Sequence, residues 1–306
     1  MPKPTPPLFA LQCSIAAVAA LAIGACGGAG GDTTCVHDTD CASHFCKADG
    51  TCAPPGDDAG PLGSDAAAGS DASSGACTPD HDGHITAAEL PLIAGRMANF
   101  RVTTSTSATI DTAGMTGSGG AHTWDLSGQL TGDADVAVAL ASPAGAYWAA
   151  DFPTATYATT LASGSDLLGV FTVSATSVEL LGIVSPASGG GTKLTYDPPA
   201  KILALPFAAG DTWTSTSTVS GTAQNIITAY TEKYDSRVDD VGTMTTPYGA
   251  FPVLRVVTNL TRANLATNVT FAWVAECFGT VATIRSQDYA TGTELTSAAE
   301  VRRLAP

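Results

Sequence analysis

Between Asn268 and Cys277 the chain alternates with a period of two. Val269, Phe271, Trp273, Ala275 and Cys277 fall on one side, and Thr270, Ala272, Val274 and Glu276 on the other. An extended backbone throws successive side chains to opposite faces, so this segment predicts a half-buried strand. The same grammar recurs over 167–174, 177–184, 201–205, 212–220, 224–235, 250–261 and 294–304. Turn-forming clusters separate the runs: Ser188-Gly189-Gly190-Gly191, Ala209-Gly210-Asp211 and Pro247-Tyr248-Gly249. After Gly95 no helical period takes over. Ten or more strands over roughly 210 residues predict one mainly β domain at 96–306: an antiparallel barrel, a curved half-barrel or a sandwich. The run at 212–220 is polar on nearly both faces, so part of the sheet should meet water.

Composition narrows the function classes. Lys and Arg number 13 against 28 Asp and Glu, a net charge of -15, and charged residues make up 13% of the chain. No stretch offers the cationic footprint that nucleic acid requires. The abundance of uncharged polar and small residues suits an exported protein.

The amino terminus sharpens that expectation. Lys3 precedes an apolar run from Leu8 to Ile23, broken only by Gln12, Cys13 and Ser14, and Gly24-Ala25-Cys26 follows. These are the parts of a secretory signal, and the run is shorter than the ~20 residues of a membrane-spanning helix. Ile23-Gly24-Ala25-Cys26 resembles the lipobox of bacterial lipoproteins. That resemblance implies cleavage after residue 25, acyl chains on Cys26 and, with Gly27 rather than Asp next, delivery to the outer membrane or cell surface. An ordinary signal peptide with Cys26 left for a disulfide is the alternative.

Residues 26–34 link this anchor to a cysteine-rich segment at 35–52. There Cys35, Cys41, Cys46 and Cys52 are separated by polar residues with almost nothing to bury, so cross-links must hold any order. Three pairings are open. The spacing resembles small disulfide modules near the anchor of surface lipoproteins of gliding soil bacteria, and loosely the cysteine-rich region of Dickkopf-type proteins. A zinc site with His37 and His44 competes, but no CxxC pair is present. Residues 53–76 lack aromatics and carry Leu62 as their one large aliphatic residue. Such a segment cannot bury enough surface to order itself, and as a coil it spans about 25–30 Å. It reads as a disordered tether.

Residues 77–95 contain Thr78-Pro79-Asp80-His81-Asp82-Gly83-His84-Ile85-Thr86-Ala87-Ala88-Glu89. Aligned on Gly83 they resemble an EF-hand calcium loop. The resemblance implies calcium ligands at Thr78, Asp80, Asp82, the His84 carbonyl and Glu89, as oxygen-seeking chemistry demands. Thr78 stands where the family has Asp, and no helix can precede the loop. Thr86-x-x-Glu89 is also a capping box, predicting a short helix to about residue 94. Cys77 and Cys277 either bridge, clamping this loop to the β domain, or remain two buried thiols.

Leu205-Pro-Phe-x-x-Gly-Asp-Thr-Trp213 and the stretch from Gly242 to Arg255 resemble a segment of uncharacterised bacterial exported proteins. Their curved strands are similar to the half-barrels of periplasmic lipoprotein carriers, which implies a concave apolar face. Alternatively those residues fill a closed core. No HExxH, G-x-S-x-G or P-loop pattern occurs. His122, beside Trp124, reads as an edge residue, and the pairs Asp133/Asp135 and Asp239/Asp240 as solvated loops. The expectation is a lipid-anchored, non-enzymatic binding or structural protein. Its partners would be the membrane and a protein, glycan or lipid. A carrier of an apolar ligand and a hydrolase are the alternatives.

Overall fold

The computed structural model describes residues 77–104, 110–117, 120–263, 266–290, 295 and 297–306. The signal segment, Cys26, the module of Cys35, Cys41, Cys46 and Cys52, and the tether lie outside the described residues. Strand β1 (His84–Ile85) leads to a single 3-10 turn, Ala87–Glu89, and then to β2 (Met97–Thr103), β3 (Met115–Thr116), β4 (His122–Asp125) and β5 (Ala134–Ala139). Next come β6 (Tyr157–Thr160), β7 (Leu168–Val173), β8 (Ser177–Val184), β9 (Lys193–Ala204) and β10 (Phe207–Ala208). The remainder are β11 (Thr212–Ala223), β12 (Ile226–Thr245), β13 (Ala250–Arg262), β14 (Ala266–Ala275), β15 (Gly279–Arg285) and β16 (Glu300–Leu304).

Twelve strands form one antiparallel path, β5-β2-β16-β15-β14-β13-β12-β11-β9-β8-β7-β6. Its two ends approach each other at an antiparallel bridge between Ala141 and Ala158, so the sheet is a nearly closed barrel. Where β11 leaves the edge of β12, the short β4 takes its place, running parallel to Gly242–Thr245. Gly242 is required there, because a Cβ would collide with the His122 carbonyl.

One face of the sheet closes on an interior core. Phe171, Leu180, Tyr196, Trp213, Tyr234 and Val256, drawn from β7 to β13, belong to it, and Ile85 and Leu90 join from the amino-terminal loop. The far end of this interior is polar. Glu232, fully buried, accepts hydrogen bonds from the Tyr234 hydroxyl and from Arg262 Nε, each at 2.5 Å. Burial, reinforced by neighbouring tyrosine and the Glu232 charge, pushes the Tyr234 hydroxyl far above its ordinary pKa.

The outer face is not simply solvated. On β14, Val269, Phe271 and Trp273 belong to a second core while Val274 belongs to the interior one. The half-buried strand expected at 268–277 is therefore buried on both faces. The cause is the long connections, which supply Ile110, Trp124, Leu126, Leu295 and Ala298 as an outer cover. Trp148 and Phe152 cover β7 and β8 in the same way. The strand pair β11–β12 keeps its outer face in water, as its alternation of Thr and Ser predicts.

Two buried arginines pin the cover down. Arg255 lies between the Trp124 and Phe271 rings, 5.4 and 5.5 Å from their centroids, and Nη1 donates to the Thr112 carbonyl at 2.5 Å. Arg303, 0% exposed, donates to the carbonyls of Leu126 and Gly128 and pairs with Asp133. A guanidinium's rigid planar fork of five donors can satisfy several carbonyls in fixed directions while its face packs on aromatic rings, which the compact lysine ammonium does not do.

Candidate functional site

The loop at 77–95 closes one mouth of the barrel. Ile85 is 2% exposed, and its strand β1 pairs with β10, setting Ile85 opposite Phe207 and His84 opposite Ala208. Cys77 and Cys277 form a disulfide, with 5.4 Å between their Cα atoms. Beside it the Cys277 N–H donates to the Glu89 carbonyl at 2.8 Å, and the His81 N–H donates to Glu276 Oε2 at 3.1 Å. A sharp turn is needed to bring these groups together, and Gly83 provides it at φ +85.

The expected helix after the loop is absent. The Thr86 N–H and hydroxyl both donate to Glu89 Oε2 at 2.8 Å, so the capping interaction forms. Leu90 nevertheless turns extended, at φ -97 and ψ 118, because the residue before Pro91 is driven out of the helical region. The turn ends after Glu89.

Among the expected calcium ligands, the structure brings Asp80 and Glu89 together. They are joined by Glu276 from just beyond β14, and carboxylate oxygens of all three lie within 4.8 Å of one another. Thr78 and Asp82 are exposed and stand outside this trio. Asp82 Oδ1 accepts the His84 N–H at 2.7 Å, and its own N–H donates to Asp80 Oδ1 at 3.1 Å, which holds the turn. His84 contributes its backbone to the β1 pairing. Three carboxylates held this close repel one another, and a hard cation with oxygen preference would relieve that repulsion. Periodicity at 268–277 gave no role to Glu276. Its position next to Cys277 was the available signal, since a Cys77–Cys277 bridge carries Glu276 to the loop.

Two concavities flank the loop. One, of about 310 Å³, is walled by Tyr248, Phe251, Phe278, Pro79, Pro252 and Glu276. The other, of about 330 Å³, runs along Ile85, Val241, Leu254 and Val274. His81, Pro252 and Glu276 border both. In the first, Phe251 and Phe278 meet edge to face with centroids 4.8 Å apart. Tyr248 lies roughly parallel to Phe251 at 6.0 Å, and 6.2 Å from Phe278 at 61°. Tyr248 is 54% exposed and Phe278 44%, so an aromatic corner faces solvent.

The remaining polar clusters hold the covering segments in place. Asp133 and Asp239/Asp240 are not the solvated loops that their sequence suggests. Asp133 is 4% exposed against Arg303. Asp239 pairs with Arg255 at 2.9 Å and with Arg237 at 3.3 Å, while Asp240 meets His122. Asp135 alone keeps to the surface, beside Arg101. His122 is not the edge residue its sequence suggests: β4 lies between β3 and β12, and the side chain bridges two groups. Nδ1 meets Asp240 and Nε2 lies 2.9 Å from Thr116 Oγ1. A hydroxyl, an imidazole and a carboxylate in that order also make up acyl-transfer sites. Here Thr116 and His122 are direct partners across the β3–β4 hairpin, so the same bonds fasten that hairpin to β12.

Comparison with known proteins finds no matching family model, no similar curated protein and no matching solved structure.

Proposed function

We propose that this chain is an exported, lipid-anchored surface protein that binds a partner, without catalysis, at the barrel mouth closed by residues 77–95. The observation that carries this reading is the convergence of Asp80, Glu89 and Glu276 beside the two concavities. Calcium is the cation of choice for such a set: all-oxygen ligands, two from the loop and one from the barrel wall. Bound there, it would tie loop to wall through a further fastening, beside the disulfide, the β1–β10 pairing and the two backbone hydrogen bonds. Cys26 would carry the acyl chains, and more than one chain is needed for stable membrane attachment. The intact mass of the membrane-extracted protein checks this arm. It should correspond to a chain starting at Cys26 with added acyl mass, and an unacylated chain cut elsewhere would refute the anchor.

The calcium arm has a thermal readout. A ligand that binds only the folded state at a hundredfold excess over its Kd stabilises by about 2.7 kcal/mol. For a domain of this size that raises Tm by about 5–10 °C. Calcium should produce this rise, a chelator should reverse it, and Glu276→Gln should abolish most of it while leaving the calcium-free Tm nearly unchanged. An equal rise in Glu276→Gln would exclude Glu276 as a ligand.

A further inference from the structure

We propose that the concavity walled by Tyr248, Phe251 and Phe278 receives the pyranose ring of a neutral glycan. This deepens the binding reading above and rests on its placing a cation at the neighbouring carboxylates. A volume of about 310 Å³ lies at the lower end of what small-molecule pockets offer, enough for one ring and its substituents. The aromatic side is an apolar corner of two inclined faces, Tyr248 with Phe251 and Phe278. Across from them stand one carboxylate, Glu276, and one imidazole, His81, with His81 Nδ1 3.4 Å from Glu276 Oε2. That combination suits a ligand with a flat C–H face and hydroxyls on its rim. The C–H face would lie on one exposed ring of the corner, with the other, inclined to it at 61°, against the pyranose edge. The hydroxyls would meet Glu276, His81 and the Tyr248 phenol.

Charge complementarity separates this ligand from its competitors. An anion would enter beside Glu276 on a chain of net charge -15, which repels it. An organic cation is the usual guest of an aromatic corner with a carboxylate. Here the carboxylate is already shared with an imidazole and, on the calcium reading, with a dication that would repel a second cation. An acyl chain needs depth, and the interior face of the barrel is filled by Trp213, Phe207, Ile85 and Leu90. A neutral ring with hydroxyls satisfies both halves of the wall.

The test is saturation-transfer NMR on the full chain in calcium. The probes are methyl glucoside, methyl galactoside, methyl N-acetylglucosaminide and a neutral dextran, with choline and a short-chain fatty acid alongside. At least one pyranoside or the dextran should receive saturation, strongest on the protons of one ring face. Phe278→Ala and Tyr248→Ala should each weaken that binding about tenfold or more with Tm unchanged, since both side chains are substantially exposed. Saturation of choline or the fatty acid and not of any pyranoside would overturn the proposal. Binding unaffected by both variants would do the same. Repeating the titration in chelator separates the two readings. Pyranoside binding that survives without any calcium-dependent Tm rise keeps the glycan site and removes the calcium. A calcium-dependent rise with no pyranoside bound removes the glycan site alone.

Discussion

Replacing Cys77 and Cys277 together by serine is expected to lower the stability of the β domain by about 5 kcal/mol. The bridge joins residues 200 apart, and in the chain-entropy model a closed loop of that length restricts the unfolded state by about this amount. Guanidinium unfolding of the double variant against the native protein measures it, and a fall in the midpoint with an unchanged slope is the expected result. The loop contributes Ile85 and Leu90 to the interior core, so the barrel wall should persist while the mouth loosens. A midpoint unchanged by the double substitution would show that the pairing of β1 with β10 and the buried Ile85 hold the loop unaided.

Removing the Asp133 charge should be nearly as damaging. Arg303 and Asp133 are 0% and 4% exposed, and the guanidinium, which stays charged, has no access to water to solvate it. Breaking one side of such a buried pair costs about 3–5 kcal/mol, most of it the uncompensated partner. Asp133→Asn should therefore unfold at a markedly lower denaturant concentration. The double variant Asp133→Asn, Arg303→Met should recover part of the loss, and no recovery would contradict the stranded-charge explanation. The same pair sets an acid limit. Burial opposes ionisation of Asp133, but hydrogen bonds from Thr103, Arg303 and the Leu130 N–H outweigh it and hold the carboxyl below the usual range. A depressed carboxyl contributes stability that is complete above its unfolded pKa of about 3.9. That contribution is lost as pH falls through the folded value. Native protein should thus lose stability below about pH 4 more steeply than Asp133→Asn does.

The β character was legible in the apolar alternating runs from residue 167 on, while the shorter strands before it, β2 to β6, were not read individually. Strands β8, β11 and β13 begin at the positions their alternation predicts. Strand β9 was legible only over its last four residues, Lys201–Ala204, because Pro198 and Pro199 interrupt the pattern. The ladder between β8 and β9 shifts register around them, and prolines are tolerated at such irregularities. The burial of both faces of β14 was not legible. It depends on Trp124, Leu295 and other residues far away in the chain, and local alternation reports nothing about what folds over a strand. Asp80 and Glu89 could be read from the loop itself, since a turn glycine and a terminal glutamate recur at fixed spacing. Glu276 was legible only through its place beside Cys277, since its partnership exists only once residues 77 and 277 are joined.

Strand β16 lies between β15 and β2, setting Val301 opposite Thr103. The wall therefore has a seam where segments about 200 residues apart in the chain must meet. During synthesis β2 is made early and has no partner on that side until 300–304 has followed it. Non-local pairing of this kind is slow to form. A wall with such a seam stays open while the chain is being made, and closes only once residues 300–304 are free to pair.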